Sequence, residues 1–353
     1  MMNDKKLKVS IGKIELKNPL ICGSGEHFIE EAGIMQAIKL GAAVVVAKST
    51  NESDAARRQL DKTDYSLIDA ELRICEWQKS DNKGKSLFGR SGLIGADSED
   101  WLKQIAKFDK IAKEDNAYVA ASLIPEKLDY LCRYAELAEK LGIRILELNI
   151  GAPHGVEVTE GIQVTLEQER VKDIVSKVRQ VYQGSLWVKV AGFSEDVSGL
   201  CLAAKEAGAD AVVMIGRMMA LMPDLDSMLP LLGTKGAYGG RWALPITCRW
   251  LSESRKIAGE EYALIGTNGA RDGYDIARMM LSGATAVELT SAIFLDGFNV
   301  ISKNIEQLSE YLNEKGMTAS ELVGYAADRL ESYDEQKIRP DYWRKFVSDD
   351  ALN

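Results

Sequence analysis

The sequence predicts an α/β fold, the (β/α)8 or TIM barrel, in which eight parallel strands alternate with helices around one core. Eight short apolar segments alternate with longer amphipathic ones along the 353 residues, and no linker or shift of composition interrupts them before Leu289. In addition, Gly41, Gly208 and Gly283 each end a helical stretch just before a strand, where glycine adopts a left-handed conformation at low steric cost. A doubly wound sheet is the rival fold, and the unbroken run of eight units disfavours it.

The eight segments are typical of strands in a parallel sheet covered on both faces, because they are apolar with little alternation. They are Pro19–Cys22, Ala43–Ala47, Tyr118–Ala121, Ile145–Leu148, Leu186–Val190, Ala211–Ile215, Ala263–Ile265 and Ala286–Leu289. The clearest helices between them are Asp100–Glu114, Lys127–Leu141 and Leu166–Gln183. The alternating stretch Leu7–Leu16 predicts a hairpin at the bottom of the barrel. We expect one domain over residues 1–353, with a C-terminal helical tail from about residue 318.

Composition and charge exclude several classes of protein. Lys and Arg number 44 and Asp and Glu 53, so the net charge of −9 argues against nucleic-acid or anionic-membrane binding. No apolar run approaches the roughly 18 residues of a membrane-spanning helix, and the first residues do not resemble a signal peptide. The five scattered cysteines predict neither a disulfide framework nor a zinc or iron–sulfur site. A cytoplasmic protein fits these features best.

Three loops after predicted strands are long, and the chemistry of such barrels lies on the loops at the carboxyl ends of the strands. They run from Ser49 to about Ser98, from Ile150 to about Val164 and from Gly216 to about Gly240. A long loop can be a solvated insertion, but three on one face more often form a lid or a pocket wall.

Two lysines lie in or directly after apolar strands, Lys48 at the end of the second and Lys189 in the fifth. A lysine in such a place is rarely buried unless it is paired. The two therefore indicate positive charge directed at an anionic or electron-rich ligand in the barrel mouth. The alternative is that each lysine pairs with a carboxylate.

The C-terminal half of the sequence predicts an anion site. Glycine-rich turns occur at 266–269 after the seventh strand and at 236–240 before a helix that begins near Trp242, and Thr290 and Ser291 follow the eighth strand. Glycines let backbone N–H groups approach an oxyanion, and the loops after strands seven and eight are the usual phosphate site of these barrels.

The only two histidines, His27 and His154, fall in predicted loops after the first and fourth strands. Histidine is the natural acid or base near neutral pH, although a structural role is the alternative for each. No Cys, Asp or Glu cluster has the spacing of metal ligands, so a metal site is the weaker interpretation.

These residues resemble the FMN-dependent barrels of dihydroorotate dehydrogenase and of the pyrimidine-reducing domain of dihydropyrimidine dehydrogenase. The likeness covers roughly residues 8–325 and implies the barrel fold, FMN binding and oxidoreductase activity on CH–CH groups. The segments that carry it are Asn18-Pro19, Gly23-Ser24-Gly25, Val46-Ala47-Lys48-Ser49, the 147–155 segment ELNIGAPHG, Val188-Lys189, the 265–269 segment IGTNG, Gly283-Ala284-Thr285, Thr290-Ser291-Ala292 and Gly297.

The resemblance also implies a role for particular residues. A cation near the flavin ring would stabilise the anionic reduced flavin. Gly23, Ser24, Ser49 and Asn149 are implied to line the flavin, Lys48 and Lys189 to approach its ring, and Gly239, Gly240, Asn268, Gly269, Thr290 and Ser291 to hold the ribityl phosphate. A homodimer is expected on the same ground.

The sequence departs from the family pattern where the family binds and deprotonates its substrate. The catalytic Cys or Ser of the family is replaced by Ala152, while His154 is retained and becomes the candidate proton carrier. The substrate-binding asparagine after strand two aligns with Gly89, beside Arg90, and the asparagine-rich segment after strand six appears as Gly216-Arg217. The two arginines suit a carboxylate, sulfonate or phosphate; ion pairing or solvation is the alternative.

The leading hypothesis is an FMN-dependent oxidoreductase that acts on a small, anionic substrate by hydride transfer at flavin N5. Its electron partner would be a soluble donor or acceptor, a nicotinamide, or a separate reductase subunit. A second hypothesis is a dihydroorotate or dihydropyrimidine dehydrogenase with a relocated base. A third is a flavin-binding subunit that has lost catalysis.

Overall fold

The computed structural model describes residues 6–77, 82, 84–151, 168–216 and 218–352. A small antiparallel hairpin, Val9–Ile11 (β1) with Ile14–Leu16 (β2), precedes the barrel. Eight parallel strands then close into a barrel. They are Leu20–Cys22 (β3), Val44–Val46 (β4), Tyr118–Leu123 (β8), Ile145–Asn149 (β9), Ser185–Lys189 (β10), Ala211–Met214 (β11), Ala263–Thr267 (β14) and Ala286–Leu289 (β15). The predicted (β/α)8 fold and the N-terminal hairpin are therefore confirmed.

Helices surround the barrel and cover the outer faces of its strands. The α-helices described are Glu31–Lys39 (α1), Asp54–Arg58 (α2), Ser98–Ala112 (α3), Leu128–Lys140 (α4), Gln168–Val181 (α5), Val197–Glu206 (α6), Leu244–Ala258 (α7), Gly273–Leu281 (α8), Ser291–Asp296 (α9), Val300–Lys315 (α10) and Ala319–Leu322 (α11). The three clearest predicted helices correspond to α3, α4 and α5. Among the described residues, no helix is both long and apolar enough to cross a bilayer.

The three junction glycines have the backbone conformation that the sequence predicts. Their φ angles are +105° at Gly41, +100° at Gly208 and +117° at Gly283. Residues with a Cβ atom rarely adopt such angles, so glycine permits the short return from helix to strand.

Two of the long loops contain a second sheet that the sequence analysis did not predict. Its strands are Asp64–Ile68 (β5), Ile74–Cys75 (β6), Ser86–Arg90 (β7), Met218–Ala220 (β12) and Gly236–Gly239 (β13), arranged antiparallel in the order β12-β13-β7-β5-β6. The interpretation of residues 236–240 as a glycine-rich turn is thus wrong for 236–239, because β13 pairs with β7 on one side and β12 on the other. The sheet stands over the carboxyl ends of the barrel strands.

The C-terminal segment after α11 runs over the surface as a series of short 3-10 turns. They are Ala327–Arg329, Tyr333–Glu335, Tyr342–Phe346 and Asp349–Ala351. Arg255 of α7 anchors the start of this segment through two hydrogen bonds to the Asp328 carboxylate, of 2.7 and 2.8 Å. The expectation of one domain over the whole chain stays a prediction.

Candidate active site

A cavity lies at the carboxyl end of the barrel, and all eight barrel strands or the loops after them contribute to its lining. The second sheet closes one side of it through Tyr65, Leu87, Gly89, Ala237 and Tyr238. The expectation that the long loops form a pocket wall therefore holds for the two loops that build this sheet.

Most of the residues expected to bind the cofactor face this cavity. Those that line it are Ser24, Lys48, Ser49, Asn149, Lys189, Gly239, Asn268, Gly269, Thr290 and Ser291. Residues that are far apart in the sequence thus meet in one place, because the carboxyl ends of parallel barrel strands share one face.

Lys48 is held by a carboxylate that also binds a tyrosine. Its Nζ atom donates to Glu26 Oε1 at 2.9 Å, and the Tyr65 hydroxyl donates to Glu26 Oε2 at 2.8 Å. The Lys48 side chain is only 3% exposed and that of Glu26 19%. Glu26 lies in a 3-10 turn, Glu26–Phe28, directly after β3, and all three side chains line the cavity.

Lys189 is paired with two carboxylates inside the barrel. It donates a hydrogen bond to Glu288 of β15, and its Nζ atom lies 3.6 Å from Glu147 Oε2 of β9. Both carboxylates have no exposed side-chain surface. Burial raises the pKa of Glu147 to about 8, opposed by the Lys189 charge and reinforced by Glu288. Burial therefore favours the protonated form of Glu147.

The lysines consequently do not present uncompensated positive charge. Within the described part of the chain, the charged residues that line the cavity are Glu26, Lys48, Lys189 and Glu288. Two cations face two carboxylates, so the alternative that each lysine pairs with a carboxylate is the correct one.

A row of hydroxyl groups connects the cavity with the buried carboxyl group. The Oγ atoms of Ser24 and Ser49 lie 3.1 Å apart, and those of Ser49 and Ser122 lie 2.9 Å apart. Ser122 in turn donates to Glu147 Oε1 at 3.1 Å. Each hydroxyl can donate and accept, so the row links two cavity-lining serines to Glu147 by hydrogen bonds.

The turn after β14 has the features of an oxyanion site. Asn268 and Gly269 have φ angles of +68° and +122°, and their backbone N–H groups find no acceptor among the described residues. Thr247 supports the turn by donating to Asn268 O at 2.6 Å. A Cβ atom on Gly269 would lie 2.5 Å from the backbone nitrogen of Leu244, so only glycine permits this approach to the start of α7.

Gly23 and Gly240 lie beside the cavity instead of lining it. A Cβ atom on Gly23 would fall 2.2 Å from Glu288 Oε1 and 2.4 Å from the Thr290 hydroxyl. A Cβ atom on Gly240 would fall 2.4 Å from the Ser86 hydroxyl. The absence of a side chain at these positions makes room for neighbouring polar groups.

Arg90 lies outside the cavity. Its guanidinium group donates to the backbone carbonyl oxygens of Lys62, at 2.6 Å, and Leu232. These bonds fasten β7 to the segment before β5, which contains Lys62, and to the segment before β13, which contains Leu232. The structure therefore does not bring Arg90 to the expected substrate position.

Of the remaining residues that the sequence analysis singled out, the structure describes His27 and leaves His154, Ala152 and Arg217 undescribed. His27 packs edge-on against Phe294, with ring centroids 4.3 Å apart, and burial lowers its pKa. This favours the structural role for His27. His154, Ala152 and Arg217 lie outside the described residues.

Sequence reasoning missed Glu26, Tyr65 and the two carboxylates that pair with Lys189. Glu147 and Glu288 each interrupt an apolar strand, as Lys189 does, so the rule that drew attention to the lysines would also have found them. For Glu26 and Tyr65 there was no comparable signal, because both lie in polar segments.

A (β/α)8 barrel with a cavity at its carboxyl face and an oxyanion turn after the seventh strand has the arrangement of the barrel enzymes that bind phosphate-bearing ligands. Residues 83–312 match the family model for dihydroorotate dehydrogenase. The chain therefore belongs to the dihydroorotate dehydrogenase family. Its members are FMN-dependent oxidoreductases that act on CH–CH groups, and this protein is one of them.

Several curated relatives match nearly the whole chain. The Dihydroorotate dehydrogenase B (NAD(+)), catalytic subunit of Pyrococcus abyssi is 28% identical over 329 residues, covering 91% of this chain and 99% of the relative. The subunit of the same name from Carboxydothermus hydrogenoformans is 28% identical over 328 residues, covering 91% and 97%. That of Methanocella arvoryzae is 27% identical over 328 residues, covering 91% and 98%.

The cavity fits FMN by the chemistry of its donors. The N–H groups of Asn268 and Gly269, with the hydroxyl groups of Thr290 and Ser291, suit a phosphate. The Thr290 side chain makes no capping bond to its own helix, which leaves it available to a ligand. Lys48 and Lys189 line the same cavity and are both buried.

Proposed function

We propose that this protein is an FMN oxidoreductase that converts a small acid other than dihydroorotate. The observation that carries the proposal is the contact between Gly89 and Tyr65. The resemblance implies that Gly89 stands where the family has its substrate-binding asparagine. A Cβ atom on Gly89 would lie 2.0 Å from the Tyr65 ring. An asparagine cannot occupy this place without displacing the ring, so a pyrimidine ligand would lose an amide partner there.

The second support comes from the sequence. Ala152 stands where the family has its Cys or Ser base, and an alanine cannot exchange a proton. General base catalysis typically contributes about 10²–10⁴-fold to rate. A polar edge of the ligand left without a hydrogen-bond partner would lower the binding free energy by a further 1–3 kcal/mol, roughly. Dihydroorotate would therefore bind more weakly and react more slowly here than in the rest of the family.

Different residues of the cavity would bind the phosphate and the ring system of FMN. FMN, when bound, supplies the hydride donor or acceptor at its N5 atom. Asn268, Gly269, Thr290 and Ser291, with Gly239 beside them, would hold the phosphate. Lys48 and Lys189 would orient the ring system, together with Ser24, Ser49 and Asn149.

Other residues would transfer the proton and bind the charged group of the substrate. His154 is the proposed proton carrier, since it lies two positions after Ala152 in the sequence and histidine exchanges protons near neutral pH. Tyr65 holds a second proton at the cavity wall, 2.8 Å from Glu26 Oε2. Arg217 is the proposed partner of an acidic group on the substrate, because a guanidinium group suits a carboxylate, sulfonate or phosphate.

The relatives support a proposal about the electron partner. The names of the relatives describe each of them as the catalytic subunit of an NAD(+) enzyme. We therefore propose that a separate subunit passes electrons between this chain and a nicotinamide. A homodimer stays a prediction from the resemblance.

A second candidate is dihydroorotate oxidation with a relocated base. The names of the relatives favour it, because those proteins are called dihydroorotate dehydrogenases and their matches cover 91% of this chain.

Anaerobic half-reactions separate these candidates. The purified protein should release FMN on denaturation. Oxidised wild-type protein and the variant Ala152→Cys are mixed with dihydroorotate, and the reduced proteins with a panel of unsaturated acids and pyrimidines. We expect neither form to react readily with dihydroorotate, and the reduced wild type to be reoxidised by an acid of the panel.

Each other outcome points elsewhere. Fast flavin reduction by dihydroorotate in the wild type contradicts the proposal and favours the second candidate. Fast reduction only in Ala152→Cys means that the base alone was missing. Protein that binds FMN but whose reduced flavin is reoxidised by no acid of the panel contradicts the proposed acid substrate.

A further inference from the structure

We infer that Glu288 sets the positive charge that Lys189 presents to the cavity, and that it thereby lowers the affinity of the site for reduced FMN relative to oxidised FMN. Glu288 is in this sense a positioning residue, which acts through Lys189. The inference rests on the proposed placement of the flavin ring over this part of the cavity.

The first support is that Lys189 reaches across the barrel interior to its partner. In the order of strands around the barrel, β10 and β15 are separated by β11 and β14. The hydrogen bond from Lys189 to Glu288 therefore joins strands that share no backbone bonds. A lysine side chain has four flexible bonds, so this contact determines where the ammonium group lies.

The second support is steric. The backbone of Gly23 packs so closely against the Glu288 carboxylate that a Cβ atom there would lie 2.2 Å from Oε1. Glu288 and Lys189 both line the cavity, whereas Glu147 lies outside the lining. The carboxylate that faces the ligand with the ammonium group is thus that of Glu288.

The third support is the balance of charge. Burial favours the neutral, protonated form of Glu147. Glu288 is the carboxylate that lines the cavity with the Lys189 ammonium group, so its negative charge balances that ammonium group there. Replacing Glu288 by a neutral residue would leave the ammonium group uncompensated in a site of low dielectric constant, where its field is strong. Reduced flavin, which is anionic, would gain most from that field.

The test compares wild-type protein with Glu288→Gln, which keeps the shape of the side chain and removes its charge. The dissociation constants of oxidised and reduced FMN are measured, the latter from the midpoint potential of the bound flavin. We expect the ratio of the oxidised to the reduced Kd to rise tenfold or more. A tenfold rise corresponds to a potential about 30 mV more positive for a two-electron couple.

Asp109→Asn is the matched control. Asp109 is also a buried carboxylate in an ion pair, with Arg144 at 2.6 Å, but the pair lies at the amino-terminal end of the barrel. We expect this variant to leave the ratio unchanged. The double variant Lys189→Gln/Glu288→Gln removes both charges and should return the ratio towards the wild-type value.

The outcomes distinguish this inference from the proposed function. Wild-type protein that binds no FMN contradicts the cofactor assignment on which the proposed function depends. Normal FMN binding with a ratio in Glu288→Gln within twofold of wild type overturns the role of Glu288 alone. If Glu288→Gln does not fold, Glu288→Asp replaces it: retraction of the carboxylate should raise the ratio at least threefold, and an unchanged ratio overturns the inference.

Discussion

Replacing Glu147 by glutamine should change how the stability of the protein depends on pH. Glu147 has no exposed side-chain surface, and the groups that face it are the Lys189 ammonium, the Glu288 carboxylate and the Ser122 hydroxyl. Burial raises its pKa from 4.5 to about 8, whereas the same residue in the unfolded chain is ionised above 4.5. A glutamine has no proton to lose over this range.

The magnitude follows from proton linkage. Between pH 4.5 and about 8, the folded protein keeps a proton that the unfolded chain has released. The contribution of Glu147 to the free energy of unfolding therefore falls as the pH rises, by about 1.4 kcal/mol per pH unit. From pH 5 to pH 8 the loss amounts to about 4 kcal/mol, an order-of-magnitude figure. Glu147→Gln should escape this loss.

Urea denaturation of the flavin-free protein at a series of pH values between 5 and 8.5 measures the effect. The difference in free energy of unfolding between Glu147→Gln and wild type should move steadily in favour of the variant as the pH rises. Glu310→Gln, on the exposed face of α10, is the control and should give a constant difference. Parallel pH profiles for wild type and Glu147→Gln would refute the assignment of a buried proton to this residue.

Two further predictions concern Gly269 of the turn after β14 and Arg90, which lies outside the cavity. Gly269→Ala should lower the free energy of unfolding by about 1–3 kcal/mol and reduce the FMN content of the purified protein. The reason is that a Cβ atom would lie 2.5 Å from the Leu244 nitrogen, at a backbone with φ of +122°. Denaturation curves and flavin absorbance measure the two effects, and a normal FMN content would show that this turn does not hold the phosphate. Arg90→Ala should lower the melting temperature while the Kd of FMN stays the same. The reason is that Arg90 holds two segments through their backbone carbonyl oxygens and does not line the cavity. A Kd raised tenfold would show that the Arg90 side chain contributes to FMN binding.

The sequence by itself determined the barrel and the position of its mouth. Each barrel strand is a short, mostly apolar run, and each of the three junction glycines follows a helix. Both signals are local and can be recognised without knowing what packs against them. Because every parallel strand ends at the same face, the sequence also placed Lys48, Asn268 and Thr290 around one site.

The second sheet was decided only by the tertiary structure. β7 and β13 come from loops after different barrel strands, and Gly89 pairs with Ala237 across 148 positions of sequence. Short strands rich in glycine carry little periodicity of their own, and their pairing depends on the barrel bringing two loops together. The wall that Tyr65 forms beside Gly89 follows from this pairing.

The partners of the lysines were likewise decided by the tertiary structure. Lys189 and Glu288 are 99 positions apart, and Lys48 and Glu26, which follow different strands, are 22 apart. The sequence showed that a buried lysine needs a partner, because an unpaired charge in a core is too costly. Which carboxylate supplies it depends on how the strands close into a barrel, and that closure is a property of contacts between residues distant in sequence.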